Sequence, residues 1–434
     1  MTTLAKTALL PLLIAALLCA PFFNAQAQER VYLEIGSTDV RKIRFAVPWF
    51  LSRQSQGEAV ELGKEIADIL AKSLKFHGII EIIPTSAYKG SQNSDWKNLG
   101  ADFTVQGVYE TSANAITLEM RLFNVATDKM ILGKSYSGKL SHKNEMLYRF
   151  CDSVIEDLTG SKGLADTQIS FVAHERDARK KEVYTSDILG NKLRQVTRHK
   201  NLVVAPRYVP GGTFLTYTSY HTGNQNLYIT DLRQNKITRV LSRRMGMNLA
   251  SEWMPDGQSM FITLSYKGNP DLYLMHKSGT IIEQITENSG INVSATVSPD
   301  GNQIVFVSDR FGSPQLFLMD LKTKKTQRIT FTGTENAEPS WHPQENLIVY
   351  SSLRNGLYQI CTKKPEQGEP STQLTTDLSH HESPSWSPDG NQIIYSKQDG
   401  RENKIYAMMR NGQFQRRLFP YSGNQIYPRW EVNY

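Results

Sequence analysis

His380-His381-Glu382 is the strongest candidate for a metal site in the sequence, because imidazole and carboxylate groups suit divalent transition ions. Neighbouring residues of an extended chain point to opposite sides, however, so one site would need further ligands from distant parts of the fold. Contact with a partner, from an exposed loop, is the plainer role for these three. The zinc-protease pattern H-E-x-x-H is absent: His174-Glu175 runs into Arg176-Asp177-Ala178, and His381-Glu382 into Ser383-Pro384-Ser385. A G-x-S-x-G nucleophile elbow is also missing. Its nearest approach, Gly133-Lys134-Ser135-Tyr136-Ser137-Gly138, has one residue too many and falls on a predicted strand. No catalytic, metal or cofactor set stands on its own, and the chemistry that remains is binding.

A repeat positions these residues. The phrases "WMPDGQSMFITL" from Trp253, "VSPDGNQIVFVS" from Val297, "WHPQENLIVYSS" from Trp341 and "WSPDGNQIIYS" from Trp386 share one grammar, and "YVPGGTFLTYTS" from Tyr208 is a degraded copy. Aligned on Tyr208, Trp253, Val297, Trp341, Trp386 and Trp430, they are spaced 45, 44, 44, 45 and 44 residues apart. That period, in a strand-rich unit, fits one four-stranded propeller blade. Proline presets the turn and glycine takes its left-handed position, so Pro-Asp-Gly is a hairpin device without chemistry of its own. The first repeat, from Gln168, lacks a first strand, while residues 427–430 are a first strand with nothing after it. Joined, they make one blade and close a six-bladed ring with no free sheet edge.

Residues 28–160 do not share the period. Strands are predicted at 31–35, 43–49, 79–83, 103–109, 115–123 and 130–136. One helical stripe carries Leu62, Ile66, Ile69, Leu70 and Leu74, and a second carries Leu147, Phe150, Cys151, Val154 and Leu158. The fold expected is therefore mixed: a small α/β domain over 28–160, then an all-β six-bladed propeller over 161–434 closed by a C-terminal strand. Ahead of both, an apolar run over 8–23 follows Lys6 and ends in Ala25-Gln26-Ala27, the pattern of a secretory signal over 1–27 cleaved between Ala27 and Gln28. Pro11 and Pro21 and the short run argue against an anchor. Loss of Lys6 lowers the formal net charge from +7 to +6. That balance suits acidic partners, and export removes nucleic acid from the candidates. Cys151 and Cys361 fall in different domains, so buried thiols are expected rather than a disulfide. The four aligned tryptophans read as blade core. Basic residues 179–181, 322, 324–325 and 416–417 read as solvated charge, whereas Arg243-Arg244 leads to the ring mouth and can steer an acidic surface.

An exported chain with an α/β domain, a six-bladed ring of W-x-P-D-G-type hairpins and a closing P-x-W strand resembles the TolB family of the Tol–Pal envelope system over essentially its whole mature length. The resemblance implies a periplasmic, non-catalytic adaptor without cofactor or metal that supports outer-membrane integrity and constriction at division. Its implied partners are the peptidoglycan-associated lipoprotein Pal, at the propeller mouth, and the inner-membrane protein TolA, at the mature N-terminus. By position the N-terminal segment is Gln28 with Glu29, Arg30, Val31 and Tyr32, whose other role is a first strand. The mouth segments are 202–205, 247–250, 291–294, 335–338, 380–383 and 425–427, expected as loops ahead of each first strand. The implied partner contacts are Met247, Asn248, Ala250, Asn292, Val293, Glu338, His380, His381 and Glu382. The family more often has His at Met247 and Thr at Val293, so this mouth is the more apolar. The competing class is an exported enzyme or carbohydrate-binding propeller that uses the central channel. Acids and histidines converging in the channel would favour it, and mixed apolar and polar loops at one mouth would favour the adaptor.

Overall fold

The computed structural model describes residues 41–54, 60–174, 180–234 and 236–431. The predicted signal peptide, the strand at 31–35 and the segment Glu29 to Tyr32 lie outside them. The N-terminal domain is a mixed sheet of β1 (Ile43–Ala46), β2 (Leu51–Ser52), β3 (Ile80–Ile82), β4 (Phe103–Ser112), β5 (Ala115–Asn124) and β6 (Lys129–Lys139), with helices α1 (Glu61–Phe76) and α2 (Lys143–Thr159). Its order is β3-β1-β4-β5-β6, with β2 on β4. The strand predicted over 43–49 is shorter, and the chain leaves β1 at Ala46. Val105 and Tyr109 of β4 and Leu118, Met120 and Leu122 of β5 alternate onto the face that carries the helices, as a period of two requires. Leu70 and Leu74 of α1 and Leu147, Phe150, Cys151 and Val154 of α2 complete this core and are fully buried.

Six four-stranded sheets follow. Their innermost strands are Val203–Tyr208, Asn248–Trp253, Asn292–Val297, Asn336–Trp341, His381–Trp386 and Asn424–Trp430, here called blades 2, 3, 4, 5, 6 and 1. Each ends on the residue that set the repeat alignment. In blade 1, Asn424–Trp430 pairs antiparallel with Gln168–His174, so the two ends of the array close the ring as expected. In blade 4 the turn has Gly301 at φ +72°, and the Asp300 carboxylate accepts from Ser298 Oγ and Asn302 N. These bonds hold the Asp300 carboxyl below its ordinary range.

The two domains share one core. Phe76, at the end of α1, meets Trp430 edge to face at 6.1 Å, and Ile394, Ile405, Ala407 and Phe419 of the ring join the helix cluster. Arg416 Nη2 donates to the Phe76 carbonyl at 2.8 Å and its guanidinium lies 4.8 Å from the Phe76 ring. A helix C-terminus carries unpaired carbonyls and partial negative charge, so this arginine of blade 6 caps a helix of the other domain. Burial pushes its pKa down to about 10. The expectation that Arg416 is simply solvated is corrected: the contact joins residues far apart in sequence and leaves no local pattern. No helix among the described residues is long and apolar enough to cross a membrane.

Candidate functional site

Each innermost strand runs from one mouth of the ring to the Pro-Asp-Gly face, against which the N-terminal domain sits through His77, Ile79 and Ile155 beside Asp389 and Asn391. The residue before each strand's terminal aromatic or valine faces the channel: Arg207, Glu252, Thr296, Ser340, Ser385 and Arg429 all line one cavity of about 50 Å³. A water or two fits such a space, and a sugar ring does not. Arg207 Nε donates to the Ser251 carbonyl at 2.5 Å and lies 4.0 Å from Glu252 Oε2, and Arg429 Nη1 donates to the Pro384 carbonyl at 2.9 Å. Burial pushes the Arg207 pKa down to about 9, Arg429 adds to that, and Glu252 and Glu338 oppose it. No histidine lines this cavity. Its charges pair with one another and with carbonyls, an arrangement that stitches blades together.

Two positions earlier on each strand sits a one-residue bulge, where Ala205, Ser294, Glu338, Ser383 and Tyr427 take positive φ between 52° and 56°. Through it Glu338 crosses to the next blade: Ser383 N and Oγ donate to its carboxylate at 2.6 and 2.7 Å, and Ser351 Oγ at 3.1 Å. Glu382 lies beside this group, and burial together with the Glu338 charge raises its pKa to about 7.

The segments expected as mouth loops are mostly strand. Asn248, Ala250, Asn292 and His381 lie within the innermost strands and are buried. The bulge hides the alternation that would have shown this. Five residues before each strand's end the chain places Val203, Asn248, Asn292, Asn336, His381 or Gln425, every one fully buried. The four side-chain amides among them hold the incoming loops: Asn248 Nδ2 donates to the carbonyls of Arg244 and Gln225 at 2.6 and 2.8 Å, and its Oδ1 accepts from Ser242 Oγ at 2.5 Å. Asn292 Nδ2 bonds to Asp271 Oδ1 at 2.9 Å and its Oδ1 accepts from Arg310. Buried His381 has Nε2 3.3 Å from Asp377 Oδ1, which Lys397 also approaches, while His380 Nδ1 accepts from Tyr358 N at 3.3 Å. Their nitrogens do not converge on a shared ligand position. Met247, Val293, Glu338, His380 and Glu382 remain partly exposed.

One grouping of metal-type ligands lies within reach among the described residues, namely His77, Cys151 and Asp152. Its hydrogen bonds already use the imidazole: Nδ1 lies 3.0 Å from the Ser73 carbonyl, and Nε2 accepts from Leu164 N at 3.0 Å. Asp152 accepts from Ala165 N and Asp166 N. Burial lowers the His77 pKa to about 4 and raises that of Asp152 to about 6. This is a hydrogen-bonded joint between α1, α2 and the linker, with a neutral imidazole at its centre.

What the mouth does present is apolar. Met245 (84 % exposed), Tyr266, Ile291, Phe311, Phe331 and Leu378 (92 %) are half of the large hydrophobic side chains that stand exposed among the described residues, and all six fall in loops at this end of the ring. Cations accompany them: Arg244 lies 5.9 Å from the Tyr266 ring and Arg328 5.0 Å from Phe331. His199 and His221 stack face to face at 4.0 Å on the same face. Position in the loops between strands is the sequence signal for these residues, which lie outside the repeated motif.

Residues 155–434 match the family described as TolB beta propeller domain, and residues 31–131 match the TolB amino-terminal domain. The chain belongs to the TolB family. It is similar to the Tol-Pal system protein TolB of Desulfotalea psychrophila, with 57% identity over 422 residues, covering 97% of this chain and 96% of that one. The TolB of Desulfosudis oleivorans is 35% identical over 288 residues, 64% of each chain. Among solved structures, TolB from Acinetobacter baumannii shares the fold, with a TM-score of 0.79 at 23% identity over 90% of this chain and 97% of that one.

Proposed function

We propose that this TolB-family chain is a non-enzymatic periplasmic adaptor of the Tol–Pal system. The ring mouth binds a Pal-type lipoprotein, and the mature N-terminal segment binds a TolA-type inner-membrane protein, so the chain supports outer-membrane integrity and constriction at division. One observation carries the reading of the mouth: six exposed apolar side chains gather on the loops of a single face, where arginines rim them. Exposed apolar patches rimmed by polar groups mark protein-binding surfaces, and aromatic and arginine anchors dominate such interfaces. The cavity at the Pro-Asp-Gly end of the channel holds only about 50 Å³, which disfavours an enzyme or sugar-binding reading centred on that cavity.

Calorimetric titration with the soluble domain of the same organism's Pal tests the proposal. Saturable one-to-one binding is expected, weakened at least about tenfold by Phe331→Asp or Leu378→Asp with the fold intact. Unchanged affinity in both variants, or no binding between folded partners, would overturn it. Ala250 is a poor target because it is buried, and a charge there would unfold the blade instead of probing the contact.

A further inference from the structure

The face of the N-terminal sheet turned away from the helices carries a second candidate site. Thr104 and Gln106 of β4 alternate with core residue Val105 and so point to this face, where Thr104 pairs with Phe123 of β5. The chain between β3 and β4 folds back over one end of it through a small satellite core of Ile83, Tyr88, Ala101 and Val125, with Trp96 against them. Tyr88 meets Trp96 edge to face at 5.2 Å, which fixes the indole beside the sheet. Between Trp96, β4 and the turn after β5 a cleft of about 390 Å³ remains, lined among others by Thr104, Gln106, Asn124 and Asp128. That volume falls in the roughly 300–1,000 Å³ range of small-molecule sites.

The Thr104 hydroxyl is the telling group. The residue is 2 % exposed, its Oγ1 has no hydrogen-bond partner, and it lines the cleft. A buried polar atom without a partner costs stability, and such exceptions call for an explanation. The groups around it are an indole, two side-chain amides, the carboxylates of Asp95 and Asp128, the Lys97 ammonium and the Ser94 hydroxyl. Asn124 uses its Oδ1 to accept from Thr127 N and leaves its NH2 free to donate. An aromatic surface beside groups that both donate and accept is what a pyranose requires, because a sugar ring has C–H faces and a rim of hydroxyls.

We infer that this cleft is a saccharide-binding site, with a sugar ring laid against Trp96 and its hydroxyls bonded by Thr104, Gln106, Asn124 and Asp128. A larger cleft of about 790 Å³ lies round the end of the sheet, toward α2, and meets this one at Lys97, Asn124 and Val125.

The test is calorimetric titration of the full chain with tri-N-acetylglucosamine and, separately, cellotriose. At least one sugar binds saturably with Kd below about 1 mM. Asp128→Ala, which changes an exposed side chain, and Thr104→Val each weaken it at least about tenfold. Thr104→Val also leaves the thermal midpoint equal or higher, since it removes the orphan hydroxyl; a residue with a purely structural role would not combine weaker binding with undiminished stability. Absence of binding by either sugar up to about 10 mM, meaning the cleft holds water only, overturns the inference. So does a sugar affinity unaltered in both variants.

Discussion

Trp430 closes the ring and touches the other domain, so replacing it with alanine tests whether the two domains are one cooperative unit. The indole is 2 % exposed, its Nε1 donates to Thr167 Oγ1 at 2.8 Å, and it meets the Phe76 ring edge to face. Removing a large buried aromatic costs about 3–5 kcal/mol through lost transfer energy and the cavity left behind. Collapse around the hole is limited because strand pairing on one side and α1 on the other hold the walls, so the expected loss is about 4 kcal/mol. Trp430→Phe keeps most of the ring and loses the hydrogen bond, for about 1–2 kcal/mol. Urea unfolding followed by far-ultraviolet circular dichroism measures both, and hydrogen exchange locates them. Amides of α1 and of strand Gln168–His174 should lose protection together in the alanine variant. A loss below about 1 kcal/mol, or loosening confined to the propeller with α1 unchanged, would refute the shared core as the bond between domains.

Glu338→Ala removes two hydrogen bonds between blades 5 and 6 and one within blade 5, and should cost about 3 kcal/mol in urea unfolding; a cost near zero would mean water replaces the carboxylate. Asn292→Ala removes the bonds to Asp271, to the Gly290 carbonyl and from Arg310, for about 3 kcal/mol, and hydrogen exchange should report the loss in the loop before blade 4. Ser294→Gly relieves a left-handed residue at φ +54° and should raise stability by about 0.5 kcal/mol; a decrease shows the bulge to be unstrained. For Glu382 the folded pKa of about 7 lies above the ordinary glutamate value of 4.5. The folded state therefore binds the extra proton in that window, and stability falls as pH rises through it. Partial solvent contact reduces the effect to about 2 kcal/mol. Glu382→Gln should gain that much over the parent at pH 8 and nothing at pH 4, and an equal gain at both would refute the assignment.

The repeat made the ring legible because an aromatic, or in blade 4 Val297, ends every innermost strand, and its spacing fixes blade number and closure without any knowledge of side-chain packing. The start of those strands was harder to read. Ser294, Glu338 and Ser383 take left-handed backbone without being glycine, so no residue type announced the bulge and the strand looked like a loop. Asn248 and Asn292 were read as contacts for a partner, yet a polar residue recurring five places before the aromatic serves equally well as a buried clasp. The channel ring was open to the same alignment, one place before the aromatic. Arg416 and Thr104 were out of reach, since each owes its role to a contact across the sheet or across the domains.

Closure by Asn424–Trp430 also sets an order of events in folding. The Trp430 indole bonds to a residue 263 positions earlier, so blade 1 holds an unpaired strand edge until nearly the whole chain is present. Bringing together segments so distant has a loop entropy that must be met before the contact stabilises anything. Blades 2–6 are made of neighbouring hairpins and form locally, whereas the seam forms last and admits no partial version. A chain stopped short of that strand exposes the edge of Gln168–His174 together with one side of the shared core, which is a surface suited to aggregation or to a chaperone.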